Sequence, residues 1–412
     1  MRLINKAHEY TIYAFFFSLN FETLNFLNLN IDFLATKITI SILLFISILN
    51  FKTFFSVKHF FRYLIPLLFY FILLTYISFI NKSSSYREFF DFPFFLNILI
   101  FLILINSSRI KYEVLLRGLF IFALSTFFLS ILYYLGFGFT ETSVDLEGRA
   151  SVFGMNQNLL GIHLCVSLLT LISIISENKL ELGKERYSLI LIFPVLLGFM
   201  ISTGSRLALL SLISGIFIFV FFNKNIKTKQ KILVVFVSSF AFLAFWQLFL
   251  KNSLVVGRLL DTVNDGDLAY RDVIWGSLLN VFSNNFIFGV GRTGYAMIVG
   301  GTSPHNVLIE VLCYTGIIGL FFFILFVLSI VSNAYKRIKK DRELLPMALV
   351  IPILGMILSG QIFGPKIFWA LFAYIAGSIS ITNKSYKNID RNNKKPTSSK
   401  LISNNESKSV KI

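Results

Sequence analysis

Apolar stretches long enough to cross a bilayer recur along almost the whole of this chain. They lie near residues 10–30, 33–50, 60–80, 89–106, 115–136 and 158–176, and again near 187–203, 207–223, 232–250, 307–332, 344–360 and 365–382. A run of about 18 or more residues with few charges forms a helix in the hydrocarbon, because only a helix or a closed barrel satisfies every backbone N–H and C=O there. The first stretch is the most interrupted, by Asn20, Glu22, Asn25 and Asn28. The fold expected is therefore all-α and membrane-integral. About twelve transmembrane helices fill residues 1–382, a large external loop (251–306) separates the ninth from the tenth, and a basic tail follows at 383–412. Composition agrees: 56% of residues are hydrophobic and 14% charged, against about 25% charged in soluble domains.

The net charge of +17 would fit a nucleic-acid binder, but its placement argues for topology. Lys and Arg concentrate on alternate connections, including Lys224–Lys231, Tyr335–Arg342 and the tail. Basic loops stay in the cytoplasm, so both termini are expected inside and no nucleic-acid partner is needed. The tail, rich in Asn, Lys and Ser, has the composition of a solvated disordered segment. Cys165 and Cys313 both lie in or beside apolar runs, too few for a disulfide framework. No small-residue cleavage site follows the first residues, so no removable signal peptide is expected.

Three segments fall on the outer side: 137–157, the Thr203-Gly204-Ser205-Arg206 hairpin, and 251–306. Together they carry Arg149, Arg206, Arg258, Arg271 and Arg292 against a single lysine, Lys251, whereas lysine predominates inside. A planar guanidinium grips phosphate through paired hydrogen bonds, so this bias fits recognition of a diphosphate; solvated loop charges account equally for any one of them. Arg206, flanked by apolar spans, either snorkels to lipid headgroups or binds an anion in a watery cavity. His305, within Ser303-Pro304-His305-Asn306 and directly ahead of an apolar span, either caps that helix or, as a neutral imidazole, takes a proton from a hydroxyl. Asn306 beside it could orient a substrate. Within the large loop, Val273, Ile274, Leu278, Val281 and Phe282 recur at helical spacing, which predicts an amphipathic helix on the membrane surface.

Two motifs are set aside. Gly289-Val290-Gly291-Arg292-Thr293-Gly294 matches a dinucleotide pattern but follows no strand and lies outside the cell, so a tight turn is expected. Asp265-Gly266-Asp267 resembles the metal-holding acids of soluble sugar-nucleotide transferases but has no supporting domain.

His305-Asn306, nine residues, then Gly316-Ile317-Ile318-Gly319 resembles the signature of the O-antigen ligase family. Arg206 with Leu210, Arg271 with Trp275, the following Phe288-Gly289-Val290-Gly291, and Gly148-Arg149 through Gly154 and Asn158 are similar to further segments of that family. The resemblance spans roughly residues 145–330. It implies a GT-C-like, inverting glycosyltransferase of lipopolysaccharide biosynthesis, working in the inner membrane without metal, nucleotide or other cofactor. The donor it implies is a glycan on undecaprenyl diphosphate at the periplasmic face. The acceptor is lipid A–core for a ligase, or a second lipid-linked repeat for an O-antigen polymerase. Carried over, Arg206 and Arg271 would hold the diphosphate and His305 would activate the acceptor; Arg149, Arg258 and Arg292 are further diphosphate candidates. A transporter of lipid-linked sugars would instead show internal repeats and charges inside several spans, and neither is evident.

Overall fold

The computed structural model describes residues 2–23, 34–58, 60–80, 90–111, 113–137, 149–177, 179–224, 227–229, 231–232, 256–257, 271–292, 294–295 and 304–377. The expected ninth span (232–250) lies outside these almost entirely, and the Asp265-Gly266-Asp267 motif and the tail entirely. Among the described residues the fold is helical, with no β-strand. In chain order the helices are α1 (Arg2–Ser18), α2 (Leu34–Leu49), α3 (Phe61–Ile80), α4 (Phe92–Ile110), α5 (Glu113–Tyr134) and α6 (Gln157–Glu177). They continue with α7 (Phe193–Ser202), α8 (Arg206–Phe221), α9 (Arg271–Asn284), α10 (Val307–Asp341), α11 (Leu345–Ser359) and α12 (Lys366–Gly377). Among the described residues, six helical stretches are long and apolar enough to cross a membrane: α3 to α6, Gly183–Ser202 and α10; four more apolar helices there are shorter. Large apolar side chains such as Phe45, Ile72, Phe79 and Phe321 point outward, as expected where the solvent is lipid. This is a multi-pass membrane protein.

The first helix departs from the apolar pattern. It covers Arg2–Ser18, where the hydrophobic run predicts 10–30. The polar residues that interrupt the run anchor the chain after the helix ends. Asn20 is buried, donates to the Phe122 carbonyl at 3.2 Å, and its Oδ1 lies 2.9 Å from His163 Nδ1. Glu22 pairs with Lys366 at the start of α12. Both contacts join α1 to distant helices in a medium that punishes lone polar groups.

α10 packs on α3, α4 on α12, α8 on α6 and α11, and α1 on α2 and α5. Small residues permit the closest approach. A Cβ on Gly161 of α6 would stand 2.8 Å from Ser205 Cβ and 2.9 Å from Ala208 Cβ, so this glycine lets the start of α8 press directly on α6. At the opposite end, Arg337 of α10 pairs with Asp341 at 2.6 Å and Glu343 at 2.5 Å, and Glu343 also meets Lys179 beyond α6. This network ties the α10–α11 turn to the end of α6, and burial there lowers the Lys179 pKa.

Candidate active site

Two constellations sit at the end of the bundle that carries the 203–206 hairpin and the 304–306 turn. The first surrounds that hairpin. Ser205 caps α8 by accepting from Ala208 N at 3.4 Å, so Arg206 becomes the helix's first residue, half-buried. Arg149 comes from a separate strand of chain, yet lies buried against the same turn. Its Nε donates to the Thr203 carbonyl at 3.1 Å and its Nη2 to Asn158 Oδ1 at 3.0 Å. Gly204 adopts φ 62°, and a Cβ there would lie 3.2 Å from Arg149 Cγ. The structure thus brings Arg149 and the Arg206 turn together, with Arg149 acting as the brace.

The second constellation carries His305. Arg271 opens α9, and Trp275, one turn on, donates Nε1–H to the Pro304 carbonyl at 2.8 Å. His305 itself has φ 48°, a left-handed conformation rare for a non-glycine residue and typical of strained functional positions. Asn306 caps α10: its Oδ1 accepts from Leu308 N at 3.0 Å and Ile309 N at 3.2 Å. Capping therefore falls to Asn306 and leaves the histidine outside the helix.

The glycine motifs fix this arrangement. Gly316 breaks α10 with φ 63° and ψ −163°. In an unbroken helix Ile317 N would donate to Cys313 O. Here Ile317 N donates to Phe286 O at 3.0 Å, and Cys313 O accepts from Val290 N at 2.8 Å. A Cβ on Gly316 would lie 2.1 Å from Ile287 O, and one on Gly289 2.5 Å from Cys313 O. Phe288-Gly289-Val290-Gly291 and Gly316-Ile317-Ile318-Gly319 are two halves of one backbone-to-backbone joint. α9 is consequently held at both ends, at Pro304 and at the Gly316 break. Its apolar face, with Ile274, Leu278, Val281 and Phe282, covers Cys313 and Tyr314 of α10. Leu278 is fully buried there while Val273 is exposed, so protein covers most of the amphipathic face.

Next to Pro304 opens a cavity of about 370 Å³ bounded by α3, α4 and α10. Arg292 lies on its wall, where Nη1 meets Asp91 Oδ2 at 2.5 Å. Asp91 also caps α4 through Phe94 N at 3.1 Å. Glu310, one turn into α10, faces the same cavity with its hydrogen-bond partner Tyr314. Tyr295 packs edge-on to Tyr314 with ring centres 5.1 Å apart, and burial raises its pKa. A larger, mostly apolar cavity of about 710 Å³ shares the Pro93 and Gly364 walls and reaches α2, α6 and the Glu22–Thr23 segment that follows α1. Arg258 lies outside the described residues. Among the described residues, no group of three or more His, Cys, Asp or Glu could hold a metal ion.

Sequence reasoning passed over Asp91 and Glu310. Both left a signal: Asp91 precedes Phe92-Pro93, an N-terminal helix signature, and Glu310 is an ionisable residue inside an apolar span, itself a mark of function. Comparison with known proteins adds one finding: residues 188–324 match the family model described as O-antigen ligase. That segment contains Arg206, Arg258, Arg271, Arg292, His305 and Gly316, and leaves Arg149 outside. No relative among curated proteins matches the chain.

Proposed function

We propose that this chain, which carries an O-antigen ligase family segment over residues 188–324, transfers a glycan from undecaprenyl diphosphate to an acceptor hydroxyl at the periplasmic face of the inner membrane. The single observation that carries the reading is that this one segment contains both motif arginines and the His305 turn. The topology proposed has about twelve spans and both termini in the cytoplasm, in keeping with the basic inner connections and with 251–306 as a periplasmic loop.

In the mechanism, Arg206 and Arg271 hold the donor diphosphate, with Arg258 adding positive charge around it; Arg149 braces the Arg206 turn and Arg292 is neutralised by Asp91. The imidazole of His305 takes the proton of the acceptor hydroxyl. The acceptor oxygen forms a bond to the anomeric carbon from the face opposite the leaving group, and the bond to the diphosphate breaks, inverting the centre. The electron pair leaves with the diphosphate, where preorganised guanidinium groups stabilise it by several kcal/mol. Chemistry of this kind needs no metal because a lipid diphosphate is already a good leaving group. The apolar 710 Å³ cavity beside the site has walls suited to the first isoprene units of the carrier.

The reading favoured is transfer to lipid A–core, a ligase; joining of two lipid-linked repeats, a polymerase, is the alternative. Reconstitution of the full chain in liposomes with purified lipid-linked glycan tests both. Product on lipid A–core supports the ligase, product on a second glycan-loaded carrier supports the polymerase, and transfer to neither removes the proposal.

A further inference from the structure

Outside the arginine and histidine motifs, the feature with the most chemistry is the 370 Å³ cavity next to Pro304. Its volume sits at the small end of the roughly 300–1,000 Å³ typical of small-molecule sites. The wall combines aromatic faces, Tyr70 and Tyr314, with an amide, Gln361, two carboxylates, Asp91 and Glu310, and one guanidinium, Arg292. Arg292 is paired with Asp91, so two carboxylates share this wall with a single guanidinium. A diphosphate or any other anion would meet like charge there, in a partly buried place where repulsion is weakly screened. A sugar ring has the complementary chemistry: hydroxyl donors for the carboxylates and amide, and apolar C–H faces for the tyrosines. Pro304 lines the cavity, so a ring bound in it lies beside the residue that precedes His305.

Resting on the glycan-transfer reading, we propose that this cavity binds an uncharged, hydroxyl-rich sugar ring and excludes anionic sugars, with Glu310 as the residue that sets the choice. The ring belongs either to the donor glycan or to the acceptor; both present the same hydroxyl chemistry.

The test uses the full chain in nanodiscs at pH 9, where the cavity carboxylates are ionised, and low salt, with methyl glucoside and methyl glucuronide as probes in saturation-transfer NMR. The wild-type protein should bind the glucoside, and the glucuronide about tenfold more weakly or not at all, since its carboxylate meets like charge on the wall. Glu310→Gln should admit the glucuronide. Equal binding of the two probes by wild type, or binding of neither, overturns the proposal without recourse to any variant. Steady-state transfer by Glu310→Gln then assigns the ring: a raised KM for the acceptor places it there, a raised KM for the donor places it on the donor, and both unchanged overturns the assignment. Failure of this inference is separable from failure of the function above. Transfer without probe binding removes the cavity's role alone, whereas probe binding without transfer of any lipid-linked glycan removes the transferase reading.

Discussion

Trp275 donates its indole N–H to the Pro304 carbonyl at 2.8 Å, so α9, which begins with Arg271, and the turn that carries His305 are positioned by one bond. Trp275→Phe keeps an aromatic ring but removes the donor. The expected loss of stability is modest, about 1 kcal/mol. The loss of activity is larger, because small displacements of reacting groups can cost up to roughly a hundredfold. A kcat reduced ten- to a hundredfold in reconstituted protein, with thermal unfolding shifted little, is the outcome expected. An unchanged kcat would show that the bond does not position the histidine turn.

The joint between Gly289 and Gly316 makes a steric prediction. Gly316→Ala places a methyl 2.1 Å from the Ile287 carbonyl oxygen at φ 63°, and neither clash nor backbone conformation can be relieved by rotating a side chain. Gly289→Ala drives a Cβ into the Cys313 carbonyl at 2.5 Å. Each should destabilise the protein by about 3 kcal/mol or more. Gly276, within α9, has nothing within 4 Å of its would-be Cβ, so Gly276→Ala should be neutral or stabilise by up to about 1 kcal/mol. Thermal unfolding in detergent of the three variants reads the contrast directly.

How far the chain could be read in advance follows from the same contacts. Helices with uninterrupted apolar runs, α3 through α6 and α10, were legible because lipid demands length and hydrophobicity and little else. The end of α1 was not, because Asn20 and Glu22 look like interruptions within a span until their partners, His163 and Lys366, are known, and those lie more than a hundred residues away. The tight turn at Gly289 was legible from its glycine cluster, and the one at Gly204 as a hairpin between two apolar spans. Their purpose was not, since a glycine's close neighbour is a tertiary fact. Asp91 and Glu310 stayed hidden because the cavity they share is built from three separate helices.

Arg149 and Arg206 stand at the same turn with different expected roles. Arg149 is buried and bonded to Thr203 O and Asn158 Oδ1, so Arg149→Met leaves buried acceptors short of donors and should destabilise by about 1–3 kcal/mol. Arg206, half-buried at the head of α8, should show its effect in rate. Arg206→Lys keeps the charge but loses the planar fork, and transfer should fall by about a hundredfold, as when one transition-state donor is removed, with unfolding unchanged. Near-normal transfer by Arg206→Lys would return this arginine to an interfacial role.

His305 joins strain to chemistry, and two substitutions separate them. With φ at 48°, an L-residue pays a conformational cost of about 1 kcal/mol or more, which glycine does not. His305→Gly should therefore be as stable as the wild type or slightly more so, and His305→Ala should not share that gain, since alanine keeps the Cβ that makes the conformation costly. Both remove the imidazole, so both should abolish glycan transfer, while exogenous imidazole should restore a measurable fraction in the glycine variant, which leaves the most room. Matched unfolding curves and transfer assays on the two variants decide the point. Transfer retained by either would end the role of His305 as base. A glycine variant less stable than the alanine one would show that the backbone strain here is smaller than the conformational entropy glycine adds to the unfolded chain.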